Sequence, residues 1–135
     1  MFKETIVPRL SETDGLKHIN NTSLSIWFEH CRVPIFKFFV PGAIDDFESW
    51  NIILARSEYD FLSQIYFGKD VEVKTWVNKI GNSSFTVEQE AWQDGHRCAH
   101  GLAVGVHYDF KTQRSMPIPE SVREKLQKHL REPHE

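Results

Sequence analysis

The residues most able to do chemistry lie in one stretch, Thr13 to Asn21, which reads T-D-G-L-K-H-I-N-N. Asp14 stands seven positions before the start of a predicted helix, with His18 and two asparagines between. A helix N-terminus offers backbone N–H groups without partners and the positive end of the helix dipole. Such groups can polarise a carbonyl and hold its oxyanion, while a carboxylate attacks the carbonyl or activates a water. The stretch therefore has the parts needed for acyl transfer.

The same residues also fit a purely structural role. Asp14 can stabilise a turn, and Asn20 or Asn21 can cap the helix, because Asp and Asn are common in turns and among the preferred N-cap residues. Spacing alone favours this structural interpretation.

A second cluster is His96-Arg97-Cys98-Ala99-His100. Strand alternation predicts that His96, Cys98 and His100 share one face, and zinc accepts both ligand types. At about 3.3 Å per residue, however, the two histidines stand roughly 13 Å apart, so a straight strand cannot bring both to one ion. Polar residues at a strand start after a turn explain the cluster better than a metal site.

Composition limits what else the chain can be. Its 135 residues suit one domain, and 40% hydrophobic residues exclude a disordered tail. A net charge of −3 argues against a nucleic-acid binder. Two cysteines are too few for a disulfide scaffold, no apolar run approaches a membrane helix, and the N-terminus lacks a signal-peptide apolar region, so we expect a cytoplasmic protein.

A long amphipathic helix is the element that must position the first stretch. From about Thr22, apolar residues recur at steps of three and four, namely Leu24, Trp27, Phe28, Cys31 and Ile35. Pro34 predicts a kink or restart, because proline breaks a hydrogen bond in a helix interior. We expect the helix to end near Pro41-Gly42.

The remaining elements are mainly strands. Residues 2–10 predict a first strand with an edge position or bend at Pro8, residues 43–51 a loop, and residues after Pro119 a short helix. Four strands are predicted at 52–65, from 71, at 84–93 and after the Asp94-Gly95 turn. Tight turns between strands predict a mostly antiparallel sheet, so the fold class is α+β with one helix buried against the sheet. The small residues of the last strand are expected to pack on this helix: Ala99, Gly101, Ala103 and Gly105.

The segment from Arg9 to Arg32 reads R-L-S-E-T-D-G-L-K-H-I-N-N-T-S-L-S-I-W-F-E-H-C-R. It resembles the opening motif of the 4-hydroxybenzoyl-CoA thioesterase family, the acyl-CoA thioesterases of hot-dog fold. The matching parts are Thr13-Asp14, His18-Ile19-Asn20 and Trp27-Phe28-Glu29-His30-Cys31-Arg32. Weaker similarities extend the match over essentially the whole chain: Tyr59 to Val73, Ile80 to Phe85, and Pro117-Ile118-Pro119.

This resemblance implies a fold and an activity. The fold is a hot-dog domain over residues 1–135, a curved antiparallel sheet wrapped around one long central helix. The implied assembly is a homodimer, often paired again into a homotetramer, with active sites at the subunit interface. The implied reaction is hydrolysis of an acyl-CoA thioester to a free carboxylic acid and CoA, with no metal or other cofactor.

The resemblance also implies roles for individual residues. The catalytic carboxylate matches Asp14, the oxyanion donor is a backbone N–H near Asn21, and His18 orients the loop or the substrate. The expected substrate-binding positions are Lys17, Asn20, Tyr59, Ser83 and Ser84.

The sequence departs from the family pattern at two positions. Lys17 replaces the usual glycine before the histidine, which could change the loop's path because glycine reaches conformations that lysine does not. Asn82-Ser83 replaces the basic turn of some relatives, so CoA phosphates would need other partners, such as Lys69, Lys79, Arg97 or backbone N–H groups.

These departures leave alternatives open. The thioester carrier could be an acyl carrier protein instead of CoA. The domain could also be a non-catalytic hot-dog module that binds an acyl thioester or another small ligand. A dehydratase ranks below both, because the central helix lacks an H-F-P-x-x-P-like element.

Overall fold

The computed structural model describes residues 1–40 and 47–133. The predicted helix end near Pro41-Gly42 and the first four residues of the predicted loop at 43–51 lie outside the described residues, and the rest of that loop contains a short 3-10 helix at Phe47–Ser49. The described chain contains six strands and three α-helices: β1 (Phe2–Ile6), α1 (Asn21–Cys31), α2 (Val33–Phe39), β2 (Ile52–Phe61), β3 (Val71–Ile80), β4 (Ser84–Gln93), β5 (His96–Asp109), β6 (Arg114–Ser115) and α3 (Glu120–Gln127).

The strands form one antiparallel sheet in the order β1-β3-β4-β5-β2, and the short β6 pairs with β5. The predicted strand at 2–10 is too long, since β1 ends at Ile6, before Pro8, which cannot donate to the ladder. The predicted strand at 52–65 ends at Phe61, because the next two N–H groups both turn to the Cys98 carbonyl.

The central helix is bent, as its proline predicts. The helix breaks between α1 and α2 at Arg32, and Pro34 falls in the first turn of α2. A proline is tolerated there because the first N–H groups of a helix lack intrahelical partners. The bend lets two shorter apolar faces follow the curvature of the sheet, one packing around Phe28 and the other around Ile35.

Glycine on β5 allows the sheet to approach the helix closely. A Cβ at Gly101 would lie 2.8 Å from the Phe28 ring of α1, so the prediction that this face packs on the central helix is confirmed there. The curled antiparallel sheet around a bent helix is the hot-dog fold that the resemblance implies. Within the described ranges, no helix is both long and apolar enough to span a membrane.

Candidate active site

The loop that carries Asp14 forms a small antiparallel ribbon. Thr13 pairs with Ile19, and the Asp14 N–H donates to the His18 carbonyl at 2.9 Å. The Leu16 N–H donates to Asp14 Oδ1 at 3.0 Å, so the predicted turn-stabilising role is present. Asp14 is nevertheless exposed, and its Oδ2 has no hydrogen-bond partner in the described part of the chain. One carboxylate oxygen therefore holds the turn and the other faces solvent.

Lys17 adopts a backbone conformation that normally favours glycine. Its φ is +66°, in the left-handed region. A lysine there is strained by its Cβ, whereas glycine is not. The loop at this position therefore has the backbone geometry that glycine favours, and the lysine is accommodated at the cost of steric strain.

A second segment, residues 65–67, supports this ribbon from the side. The Ile19 N–H donates to the Ile65 carbonyl at 2.7 Å, and the Phe67 N–H donates to the Lys17 carbonyl at 2.9 Å. The ring of His18 meets the ring of Tyr66 edge-on, with centroids 5.2 Å apart. The position of His18 is thus set by Tyr66, which the sequence analysis missed.

Tyr66 is itself fixed by a buried amide at the end of β4. Gln93 accepts the Tyr66 N–H at 2.9 Å and donates to the Tyr66 carbonyl at 2.9 Å and to the Lys69 carbonyl at 3.1 Å. No spacing rule links a strand-end glutamine to a loop 27 residues earlier. This contact exists only because the hairpin brings the two segments together.

The buried carboxylate of Glu12 links the N-terminal side of the Asp14 loop to α1. Glu12 is 8% exposed and accepts the Trp27 indole N–H at 2.6 Å and the Arg9 N–H at 2.7 Å. Its carbonyl accepts the Asn20 N–H at 2.8 Å. Glu12, which the sequence analysis also missed, therefore joins both ends of the Asp14 loop to α1.

Asn20, not Asn21, caps the helix. Its side-chain oxygen accepts the Thr22 N–H at 2.9 Å, and its carbonyl accepts the Ser23 N–H at 3.0 Å. Asn21 is the first residue of α1, and its N–H has no acceptor among the residues that the structure describes. Because Asn20 is the N-cap, the N–H of Asn21 remains available. Asn21 lines a small cavity of about 20 Å³ together with Leu24 and Phe61.

A larger groove, of about 590 Å³, runs between the bent helix and β2. Its walls are mainly apolar and include Ile26, Val33, Phe36, Ile52, Leu54 and Val87. Glu29 and His30 stand exposed at its border, and the buried Arg32 also lines it. Such an apolar groove with few polar groups is the usual form of a small-molecule site.

The predicted substrate-binding residues of the sheet do not all reach Asp14. Tyr59 is half-buried on β2, with its ring centroid 5.9 Å from that of Phe28. Ser83 and Ser84 lie at the opposite end of β4 from Gln93, roughly 30 Å away at 3.4 Å per residue. Within a single chain, Ser83 and Ser84 therefore lie far from the Asp14 loop.

The basic residues are distributed differently from what the sequence suggested. Lys69 pairs with Asp94, which raises the pKa of its ammonium group, and Arg97 bonds Glu90 at 3.1 Å. Arg123 of α3 instead reaches the 81–83 turn, donating to the Gly81 and Asn82 carbonyls at 3.0 and 3.3 Å. The turn thus gains a neighbouring cation from a helix distant in sequence.

The His96-Cys98-His100 cluster does not form a metal site. A register shift near Trp92 leaves Cys98 and Ala99 both buried in the core, while His100 contacts Glu88 at 2.7 Å and His96 is exposed. Across residues 1–40 and 47–133, no three His, Cys, Asp or Glu side chains are grouped to hold a metal. The other cysteine, Cys31, is no nucleophile, because burial and the nearby Glu4 raise its thiol pKa to about 12.

A hot-dog fold with a carboxylate loop beside a helix N-terminus defines the class of protein. Residues 8–126 match the Thioesterase-like superfamily, and the chain belongs to that family. A predicted thioesterase from Bacillus stearothermophilus is 45% identical, with a TM-score of 0.92 and 98% of both chains covered.

Two further relatives are more distant. A thioesterase from Thermus thermophilus, solved in complex with coenzyme A and Zn, is 29% identical with a TM-score of 0.79, covering 92% of this chain and 95% of that one. The Bacillus subtilis (strain 168) protein YsmA is 24% identical over 126 residues, covering 93% of this chain and 84% of YsmA.

Proposed function

We propose that the protein is a thioesterase of the 4-hydroxybenzoyl-CoA type, hydrolysing an acyl-CoA to a free carboxylic acid and CoA. One observation carries the proposal. The fold supports a solvent-facing carboxylate at Asp14 and, at the far end of the same loop, a helix N–H at Asn21 without a partner in the described chain. Similarity to a thioesterase that binds coenzyme A supports CoA as the carrier.

The reaction follows from the chemistry of these two groups. The thioester oxygen accepts the Asn21 N–H, and the helix dipole favours negative charge at that point. Asp14 either attacks the carbonyl carbon or removes a proton from the water that does. The C–S bond then breaks. When water is the nucleophile, CoA leaves with the proton that Asp14 took from that water; when Asp14 attacks, CoA leaves as the thiolate and takes its proton from solvent water. When Asp14 attacks directly, water hydrolyses the resulting anhydride in a second step.

His18 has a positioning role in this mechanism. Its carbonyl holds the Asp14 N–H, and its ring rests on Tyr66. Both contacts keep Asp14 at the loop tip. We therefore assign His18 to orientation of the loop.

The site is proposed to be completed by a second copy. The ten-residue β2 lies at the edge of the sheet and is exposed over most of its length. Long exposed edge strands readily pair with another strand. Antiparallel pairing of two β2 strands would form a homodimer. The sheet end that carries the 81–83 turn in one subunit would then lie beside the Asp14 loop of the other subunit. That arrangement would bring Ser83 and Ser84 of the partner subunit to the site, and two such dimers could form the tetramer.

Binding of CoA phosphates is proposed at the same junction. Arg123 sits on the 81–83 turn, and the exposed Lys79 precedes it on β3. In the proposed dimer both cations would lie near the partner's Asp14 loop. Lys17, exposed on that loop, would add a third positive charge.

The test is thiol release from a panel of short, long and aromatic acyl-CoAs, with Asp14→Ala assayed in parallel. We expect release by the wild type and none by the variant, with unchanged circular dichroism. Release by both proteins would refute the role of Asp14. Binding without turnover of both CoA and carrier-protein thioesters would instead identify a non-catalytic hot-dog module.

A further inference from the structure

We propose that Arg32 binds a carboxylate in the apolar groove, so that the preferred acyl group carries an anionic distal end. This inference deepens the proposed function and rests on it for the identity of the substrate. The class of substrate is the mono-thioester of a medium-chain dicarboxylic acid.

The first observation is that Arg32 is a buried cation without a counter-charge in the described part of the chain. It is 3% exposed, and it lines the groove at the junction of α1 and α2. Among the described residues no carboxylate oxygen lies within 4.0 Å of its guanidinium, and its Nε is buried with no hydrogen-bond partner. The side-chain hydrogen bond that it does make there, from Nη1 to Gln89 Oε1, is long at 3.4 Å.

The amide of Gln89 cannot neutralise this charge. Its Nε2 donates to the Phe28 carbonyl at 2.9 Å and to Thr75 Oγ1 at 3.1 Å, which fixes its oxygen toward Arg32. A neutral oxygen stabilises a buried cation far less than an anion does. The guanidinium is therefore oriented by Gln89 but has no counter-charge among the described residues.

The second observation is the shape and chemistry of the groove around this cation. Most of its wall is apolar, and its volume of about 590 Å³ suits a small organic ligand. His30, at the border, is already engaged by Glu4 at 2.9 Å. Glu29, also at the border, is exposed to solvent and lies outside salt-bridge distance of Arg32. A chain that is apolar along its length and anionic at its tip complements these features.

In this proposal one acyl chain extends along the helix from Asn21 to Arg32. Arg32 lies eleven positions after Asn21, a rise of about 16.5 Å at 1.5 Å per residue. The arginine side chain covers part of that distance. A thioester carbonyl at the Asn21 N–H and a carboxylate at Arg32 would therefore be linked by a chain of medium length.

The main test compares octanoyl-CoA with the mono-CoA thioester of octanedioic acid, which differ only at the distal end. We expect wild-type kcat/KM to favour the dicarboxylic substrate by roughly ten- to a hundred-fold, the effect of a charge-assisted hydrogen bond. Arg32→Met should remove this preference, and Arg32→Lys should retain part of it. Arg114→Met, at an exposed arginine on β6, is the matched control and should keep the full preference.

A second measurement does not depend on hydrolysis. Free octanoate should raise the Tm of the wild type and of Arg114→Met but not of Arg32→Met, whereas uncharged octanamide should not distinguish the three proteins. Arg32→Met is expected to fold, since replacing an unpaired buried charge by an apolar side chain is commonly tolerated.

The outcomes separate this inference from the proposed function. Turnover of both thioesters with equal kcat/KM would overturn the role of Arg32 and leave the thioesterase intact. Arg32-dependent binding of octanoate without any turnover would support the anion site and reject the hydrolase. If Arg32→Met dissociates the oligomer and leaves the substrate preference unchanged, a carboxylate of the partner subunit is the true counter-charge and the inference fails.

Discussion

Two groups of charged side chains differ in their partners, and on the outer face of the sheet arginines and glutamates neutralise one another in one cluster. Arg131 Nη1 lies 3.1 Å from both Glu88 Oε2 and Glu90 Oε2, with its guanidinium 3.9 Å from the Trp76 ring centroid. Arg97 adds a further bond to Glu90 at 3.1 Å. This outer-face cluster is defined by these five residues, of which two arginines and two glutamates carry opposite charges.

Two charges elsewhere, Arg32 and Asp14, have no oppositely charged partner among the described residues. The guanidinium of Arg32 contacts the neutral amide of Gln89, whereas that of Arg131 contacts two carboxylates. Asp14 uses one carboxylate oxygen in the turn, and its other oxygen faces solvent. Paired charges within a fold mainly support that fold, whereas an unpaired charge beside a cavity indicates ligand chemistry. We therefore expect the outer-face charges to be structural and Asp14 and Arg32 to be functional within this one chain of 135 residues.

The largest expected effect is on the helix side. Asp14→Asn should lower kcat by about 10³-fold, because the amide can neither attack the carbonyl nor take a proton from water. The Leu16 turn should survive, since an amide oxygen can still accept that N–H, so the urea midpoint should stay within error. A variant with near-normal kcat would place the catalytic group elsewhere.

The matched change in the outer-face cluster is Glu90→Gln. It should lower the free energy of unfolding by about 2 kcal/mol, because it removes a buried, hydrogen-bonded charge beside two arginines. Urea denaturation measures this loss. Per folded molecule, kcat/KM should remain that of the wild type, and a parallel loss of activity would remove the distinction between the two faces.

The outer-face cluster should also make stability depend on acid pH. Burial alone would raise the pKa values of Glu88 and Glu90, but hydrogen bonds and the Arg131 charge outweigh it and hold both below the ordinary value. Their contribution is thus complete above the unfolded-state pKa of about 4.3 and is lost as the pH falls through the lower folded-state pKa values.

Urea midpoints measured between pH 6 and pH 3 would show this loss. The double variant Glu88→Gln/Glu90→Gln should give a flatter profile over that interval. Identical profiles for the wild type and the double variant would show that other carboxylates control acid unfolding.

The smallest effect is expected at Lys17. Lys17→Gly should raise the free energy of unfolding by about 1 kcal/mol, because glycine accepts a φ of +66° without Cβ strain. Gln113→Gly, at φ +57° on an exposed turn, is the matched control and should stabilise to a similar degree. A fall in kcat/KM for Lys17→Gly but not for Gln113→Gly would support the proposed contact of Lys17 with CoA phosphates, and equal kcat/KM would remove Lys17 from that site.

Several features of the site were predictable from local sequence. The helix restart at Pro34 and a cap at Asn20 or Asn21, of which the structure has Asn20, depend on backbone rules that act within a few residues. The antiparallel order of β3, β4 and β5 follows from tight turns, which leave no room for another connection. Errors arose at strand ends, such as residues 7–10 and 62–65, where tertiary partners compete for the backbone.

The sequence by itself determined the thioesterase-like superfamily and the fold class, and it placed Asp14 in the loop before a helix N-terminus, because these are carried by one continuous motif and by regular periodicity. Only the tertiary structure decided that Gln93 holds Tyr66, that Glu12 holds Trp27 and that Arg32 lacks a counter-charge among the described residues. Each of those facts joins residues far apart along the chain, or depends on burial. Burial is a property of the packed molecule, and no local pattern of side chains reports it.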